Sequence, residues 1–381
     1  MKRILSGHPW IYDNEIKSVS PDVNDGDIVD IFDWRNKFVG KGYFNSKSRI
    51  RIRILTRTDT EIDRSFFEAK LRGILRRKRE YRNGSFRLIH SEGDGIPGLI
   101  VDKYSNFLVI QVNTLGMMKL KPMVVDVLVD LLNPRGIYEK SDSSSLKKEG
   151  VKEEKGWIYL DGPSLIPFEY EGIKFFADVE KGQKTGFFLD QRGNALLLRK
   201  YAESKRCLDV FSYHANFAMN ILKGGAIHVE LVETSKRAND NVELMMRINN
   251  FKNFKIIDEN AFDYLRKLDR EKEKYDIVVL DPPAFAKSNS NKEDALRGYK
   301  EINLRAMKIL RNGGILATSS CSQVVKREEF EGMLKSAAKD VKKKLILLHR
   351  GGQPPDHTIL LNVDETEYLK FYIFKVVDLG F

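Results

Sequence analysis

The chain has 381 residues, 42% of them apolar and 31% charged, with a net charge of +11 and a pI near 9.3. Apolar content of this size allows a substantial core and two or three domains. No run approaches the roughly 18 apolar residues of a membrane helix, and the first ten residues lack a signal-peptide core, so a cytoplasmic protein is expected. The two cysteines, Cys207 and Cys321, argue against a disulfide framework and against a cysteine-based zinc site, and no metal is expected. The positive balance favours an anionic partner, nucleic acid first.

Residues 1–65 read as an all-β module. Short apolar runs, Asp27–Phe32 and Phe38–Tyr43, are separated by turn residues (Asn24, Asp25, Gly26 and Asn36), as in a small barrel. Arg49-Ile50-Arg51-Ile52-Arg53-Ile54 alternates as a strand with one apolar and one arginine face. From Lys47 to Arg87 there are 14 Lys and Arg against 5 Asp and Glu. A solvated face is one reading of this excess. Arg49, Arg51 and Arg53 would repel each other on one face, however, so an anion such as RNA phosphate is the expected neutraliser. Asp63 to about Arg82 then forms a basic amphipathic helix with Phe66, Phe67, Leu71, Ile74 and Leu75 as its stripe.

Residues 66–172 read as a small α+β module. Phe107–Val112 is a strand, and Lys121–Leu132 a helix that tolerates Pro122 in its first turn and stops before Pro134. Tyr138 opens another extended segment. The polar run Ser141–Gly150 is expected to be a mobile loop or plain linker.

Residues 173–381 form the third module. From about residue 200, strands alternate with helices. The strands are Cys207–Phe211, Ile227–Glu233, Phe254–Ile257, Tyr275–Leu280, Gly314–Ser319, Leu345–Leu348 and Tyr368–Val377. The helices include Ser235–Asn249, Ala261–Lys272, Lys292–Leu310 and Arg327–Ala338. This pattern predicts an α/β fold with a doubly wound, mostly parallel sheet of seven strands. Ligands of such sheets bind beyond the carboxyl ends of the strands, so chemistry is sought just after each one.

The first strand carries Asp209 and runs into Phe211, Ser212, Tyr213 and Asn216, an acid followed by a turn into a helix, able to hold a ligand's amine and carboxylate. Cys207, within the same strand, reads as core packing. The second strand ends in Glu233-Thr234-Ser235. The carboxylate is spaced to accept ribose hydroxyls, or simply favours the helix dipole, while Thr234 or Ser235 caps the helix. After the third strand, Asn260 and Ala261 either face an adenine edge or form a helix cap. The fourth strand ends in Asp281-Pro282-Pro283, which is either a simple strand-terminating turn or, since the prolines fix the backbone, a rigid cleft that holds the carboxylate against a flat base. The fifth ends in Ser320-Cys321-Ser322. Cys321 is either a small core residue or, beside a helix N-terminus, a thiol of lowered pKa able to act as a nucleophile; Asp281 at the neighbouring strand end favours the second.

Several runs together carry a resemblance. They are Gly7-His8-Pro9-Trp10-Ile11-Tyr12, Glu92–Asp102, Gly182–Arg192, Leu280–Ser288, Gly298–Asn303 and Ser320-Cys321-Ser322. In this order they resemble the bacterial and archaeal 23S rRNA 5-methylcytosine methyltransferases, which begin with a PUA domain. The resemblance covers nearly the whole chain. It implies a Rossmann-like methyltransferase domain, S-adenosylmethionine as cofactor, 23S rRNA as partner and a homodimer. It implies that Cys321 attacks carbon 6 of a cytosine while Asp281 hydrogen-bonds the ring. It places Lys184, Thr185, Phe187, Asp190, Gln191 and Arg192 over the cofactor, with Asp209, Phe211, Ser212, Tyr213, Asn216, Glu233, Thr234, Asn260, Ala261, Asp281 and Pro282. One departure stands out. Relatives usually carry Thr-Gly-Gly where this chain has His214-Ala215-Asn216. Two glycines are thus lost; asparagine tolerates positive φ better than most residues, so Asn216 is expected to be a partial substitute, whereas Ala215 is not. The departure motivates a competing reading, an RNA-binding or ribosome-assembly protein with weakened methyl transfer. A methyltransferase of the same type acting on another pyrimidine or on tRNA is a third.

Overall fold

A computed structural model describes residues 2–143, 145–286 and 288–380, with the side chains of Ser145 and Asn289 left aside. The chain divides into two compact units, 1–170 with 175–189 and 355–366, and 171–174 with 190–354 and 367–381.

The first unit opens with helix α1 (Lys2–Leu5). Strands β1 (Trp10–Tyr12), β2 (Ile28–Phe32), β3 (Phe38–Phe44) and β4 (Ile50–Thr56) then form an antiparallel sheet in the order β1-β4-β3-β2. Helix α2 (Arg64–Arg77) is capped by Asp63, whose carboxylate accepts the Phe66 N–H, and it buries Phe66, Phe67, Leu71 and Ile74. A five-stranded sheet follows in sequential order: β5 (Phe86–His90), β6 (Leu99–Tyr104), β7 (Phe107–Val112), β8 (Gly136–Ser141) and β9 (Glu154–Tyr159). Helix α3 (Leu115–Leu132) links β7 to β8, which are parallel. It starts a turn and a half before the expected Lys121, so Pro122 sits inside the helix and not in its first turn.

The run expected to be a loop contains helix α4 (Ser145–Glu149); Ser144 lies outside the described residues. Glu149 is buried and receives Arg53 Nη2 at 3.0 Å and Asn45 Nδ2 at 2.9 Å. The expected arginine face is corrected here. Arg49 is exposed and Arg51 half-buried, but Arg53 is turned inward and neutralised by the chain's own carboxylate. Strands β10 (Leu165–Tyr170) and β11 (Ile173–Asp178) form a hairpin.

The second unit is the doubly wound part. Its elements alternate from helix α5 (Arg192–Leu197) through β12 (Arg206–Val210), α6 (Asn216–Lys223), β13 (His228–Val232), α7 (Lys236–Ile248), β14 (Phe254–Ile257), α8 (Ala261–Glu271), β15 (Tyr275–Leu280), α9 (Lys292–Ile309), β16 (Leu310–Ser320), α10 (Arg327–Asp340), β17 (Lys343–Gly351) to β18 (Lys370–Asp378). The sheet order is β14-β13-β12-β15-β16-β18-β17, and β18 alone runs antiparallel to its neighbours β16 and β17. Strand order reverses between β12 and β15, which opens the crevice where ligands of such sheets bind. Val278, Leu280, Leu208 and Val210 belong to the core beneath this crevice.

Candidate active site

Asp209 sits in β12, fully buried. Its Oδ2 accepts the Ala218 N–H of α6 at 3.0 Å, so the carboxylate caps a helix from the neighbouring strand. Its Oδ1 is buried and meets no hydrogen-bond partner among the described residues. Burial raises the proton affinity of this carboxyl well above the usual range, and the charges of Asp281 and Glu233 push the same way. An acid buried in this manner, with one oxygen unsatisfied, is costly to the fold.

The turn after β12 has positive φ at three non-glycine residues, Phe211 (65°), Tyr213 (42°) and Ala215 (54°). The left-handed position is therefore Ala215 and not Asn216, which instead begins α6. This corrects the expectation for Asn216. Each such residue costs of order 1 kcal/mol, and the bonds around the turn must hold it. Phe211 and Ser212 donate N–H groups to Val232 O at 3.0 and 3.2 Å, and Ala215 N–H reaches Ser212 O at 2.7 Å. Asn216 Nδ2 is a second buried group without a partner among the described residues.

Glu233 follows β13. Its two oxygens accept the N–H groups of Tyr213 (3.1 Å) and Ser235 (2.8 Å), which ties the first and second strand ends together. Ser235, and not the exposed Thr234, caps α7. Asn260 caps α8 through Oδ1, which accepts Phe262 N–H at 2.9 Å, and Ala261 is buried behind it. Phe211, Phe262 and Phe285 form an aromatic trio, with centroids 5.8 to 6.4 Å apart. The sequence pointed to Phe211 alone. Phe262 and Phe285 carried only the faint signal of standing just after strand ends.

Asp281 follows β15. Its Oδ1 accepts Gln191 Nε2 at 2.6 Å and the Ser319 hydroxyl of β16. Gln191 is fixed in turn by Asn194, which donates to its Oε1 at 2.7 Å. Asp190 accepts the Tyr368 hydroxyl at 2.6 Å, and Arg192 is buried at the start of α5. Leu280 pairs with Thr318, so the ends of β15 and β16 lie side by side. There the Cys321 thiol approaches the Pro282 carbonyl, with Sγ 3.9 Å from the oxygen. Helix α10 begins only at Arg327, so the loop 322–326 separates Cys321 from a helix N-terminus, contrary to expectation. Cys207 is buried in β12, where burial pushes its thiol far up. Lys184, Thr185 and Phe187 belong to the first unit. There Thr185 and Phe187 are buried, Thr185 Oγ1 donates to Asp102 at 2.5 Å, and the exposed Lys184 lies over the Phe188 ring.

One carboxylate thus sits near the end of β12 and two more follow β13 and β15, an aromatic trio stands at these strand ends, and a thiol stands at the end of β16. The described residues include no cluster able to hold a metal ion and no helix long and apolar enough to cross a membrane.

Comparison with known proteins identifies the family and the fold. Residues 1–57 match the model of a PUA-like domain, and residues 156–375 match that of S-adenosylmethionine-dependent methyltransferases. The chain is 34% identical to a protein named ribosomal RNA large subunit methyltransferase I from an Enterobacter species, over 99% of this chain and 97% of that one. The protein of the same name from Klebsiella pneumoniae is also 34% identical, over 99% and 96%. Among solved structures, a methyltransferase complexed with SAH superposes with a TM-score of 0.85 at 21% identity, covering 98% of this chain and 97% of that one. An S-adenosylmethionine-dependent methyltransferase from Streptococcus mutans gives 0.83 at 20%, with the same coverage.

Proposed function

Since the chain belongs to the S-adenosylmethionine-dependent methyltransferases and opens with a PUA-like domain, we propose that it methylates carbon 5 of a cytosine in large-subunit ribosomal RNA, with Cys321 as covalent nucleophile. The observation that carries this reading is the pairing of Cys321 with the Asp281-Pro282 turn at adjacent strand ends. The names of the curated relatives supply the RNA.

S-adenosylmethionine is the family's cofactor and, when bound, supplies the methyl group. The residues present fit a ligand with a cationic amine and sulfonium, because Asp209 keeps an unsatisfied buried oxygen beside two further acids. Asp209 would accept from the amine and Glu233 from the ribose hydroxyls. Phe211 and Phe262 would flank the adenine, near Asn260. Asp190, Gln191 and Arg192 would support this side, and Gln191 already orients Asp281. Thr185 and Phe187 are engaged in the first unit's core, so the cofactor reading is kept to the second unit.

On the target base, the Cys321 sulfur would bond to carbon 6, which leaves carbon 5 electron-rich. Asp281 would hold the ring through a hydrogen bond and favour that charge distribution. Once carbon 5 carries the methyl group, a base would take the carbon 5 proton, the electron pair left behind would restore the 5,6 double bond, and the sulfur would leave as thiolate. The base must be unstacked to reach both groups, so the target is single-stranded or flipped out. Arg49 and Arg51 would meet phosphate. The exposed Trp34 with Arg35 stacked 4.4 Å above it offers a stacking platform on the same module.

The test is tritium transfer from labelled S-adenosylmethionine to unmodified large-subunit rRNA, with mass mapping of the product nucleoside. Cys321→Ala should abolish transfer, and a wild-type rate in that variant sinks the covalent mechanism. A methylated uridine or a tRNA product would redirect the substrate and leave the enzyme class intact. The turn without glycines favours a second reading, an RNA-binding assembly protein that no longer transfers methyl groups. Micromolar binding of S-adenosylhomocysteine by calorimetry removes it.

A further inference from the structure

We propose that Lys370 is a positioning residue that stabilises the ionised form of the Cys321 thiol. This rests on the reading of Cys321 as nucleophile. Lys370 is the first residue of β18 and pairs with Ser320, the last residue of β16. Its side chain is buried, 4% exposed. Its Nζ donates to Ser322 O at 2.6 Å and to Tyr368 O at 2.9 Å. It thus clasps the backbone on the far side of Cys321, and it forms no ion pair with a carboxylate among the described residues. Burial lowers the proton affinity of the amine, to a pKa of about 8, and the Cys321 charge opposes that drop.

A buried ammonium held only by carbonyl oxygens lacks a full counter-charge. The groups that act on it leave the thiol as the natural one. Glu367, from the loop before β18, is engaged by Arg327 at 2.7 Å. Arg327 and Lys326, at the entry to α10, add positive charge, and from α9 the Tyr299 hydroxyl donates or accepts at Ser322 Oγ, 3.0 Å away. An ionised sulfur beside Lys370 satisfies both groups at once. Lys370 would also brace the Ser322 carbonyl, and with it the loop that aims the sulfur.

The experiment is the pH–rate profile of iodoacetamide alkylation in the full-length wild type, Lys370→Gln and Lys370→Arg. Cys207 is fully buried with its thiol pushed far up, so the profile reports Cys321. The Gln variant should move the alkylation midpoint up by about one pH unit, slowing alkylation about tenfold at pH 7. The acid limb of methyl transfer should move with it, while S-adenosylhomocysteine affinity stays at the wild-type value. Lys370→Arg should keep the wild-type midpoint. A Gln variant that binds S-adenosylhomocysteine normally and alkylates with the wild-type midpoint overturns the proposal, as does a folded Arg variant that behaves like Gln. Should Gln not fold, thiolate absorbance at 240 nm in the wild type, referenced to Cys321→Ala, decides. A midpoint below about 8.5 supports the role of Lys370, and one at or above it overturns that role. Alkylation needs neither RNA nor methyl transfer. Failure of the nucleophile reading would show separately, as transfer that persists in Cys321→Ala.

Discussion

The two edges of the seven-stranded sheet treat buried acids in opposite ways. Near the amino edge, Arg206 pairs with Glu230 at 2.9 Å and Glu273 at 2.7 Å, while Tyr264 and Tyr275 donate to Glu230 at 2.6 and 2.9 Å. Burial works against the Glu230 charge, yet hydrogen bonds from Tyr264, Arg206 and Tyr275 hold its carboxyl below the usual range. At the carboxyl edge, Asp209 is buried more completely still but has Asp281 and Glu233 as its charged influences and one oxygen unsatisfied. Where the chain supplies the counter-charge, an acid is architecture. Where it withholds the counter-charge, the acid stays costly, which is the condition the proposed cofactor site requires.

The comparison breaks most visibly at Glu230. Glu230→Ala leaves Arg206 half-paired and takes from two tyrosine hydroxyls the carboxylate they donate to, and should destabilise the fold by about 3 kcal/mol. Denaturant unfolding measures this, and a loss below about 1 kcal/mol would mean that the amino-edge network is not structural. Asp209→Asn should do the reverse. It keeps an acceptor for Ala218 and cannot take on the charge that burial disfavours, so the ligand-free protein should be no less stable. S-adenosylhomocysteine affinity should nevertheless fall about 100-fold, or about 2.7 kcal/mol. Calorimetry showing unchanged affinity would end the cofactor reading of Asp209.

The pH dependence separates the two edges by sign. The folded-state pKa of Asp209 is raised, so its contribution to stability is full below its ordinary value of 3.8 and is lost as pH rises through the higher folded value. That of Glu230 is lowered, so its contribution is present above its ordinary value of 4.5 and is lost as pH falls through the lower folded value. A cationic ligand should drive the Asp209 proton off. Binding should therefore tighten with rising pH across the Asp209 window and release up to one proton, seen as binding heats that vary with buffer ionisation enthalpy. Asp209→Asn should abolish that variation, and its persistence would move the proton elsewhere.

Much of this edge was legible in the sequence, because strand ends announce themselves. An apolar run that ends at or just beyond Asp209, Glu233, Asp281 or Cys321 places that side chain near the crevice by topology alone. What stayed hidden were relations between distant positions. Glu149 lies in a polar run with the composition of a loop, and nothing local reveals that it neutralises Arg53. Lys370 stands on the antiparallel strand, beyond any motif, and only the pairing with Ser320 brings it to Cys321. Phe262 and Phe285 join Phe211 across three separate strand ends. The start of α3 was missed because Leu115-Gly116 precedes a proline that reads as a first-turn residue, although the helix continues through it.

The smallest expected effect tests how the carboxyl edge holds its shape. Ala215 is buried at φ 54°, in a turn where Phe211 and Tyr213 are also left-handed. Its Cβ costs of order 1 kcal/mol there, while glycine would add conformational freedom to the unfolded chain. Ala215→Gly should therefore stabilise the ligand-free protein by at most about 1 kcal/mol and change S-adenosylhomocysteine affinity less than twofold, because the turn already has its left-handed form. Thermal unfolding with and without ligand measures both. A rise in affinity beyond tenfold would mean that the alanine methyl, and not the backbone conformation, obstructs the cofactor. The carboxyl edge would then be a site with its acids in place but its turn partly closed, which is the condition the assembly-protein reading requires.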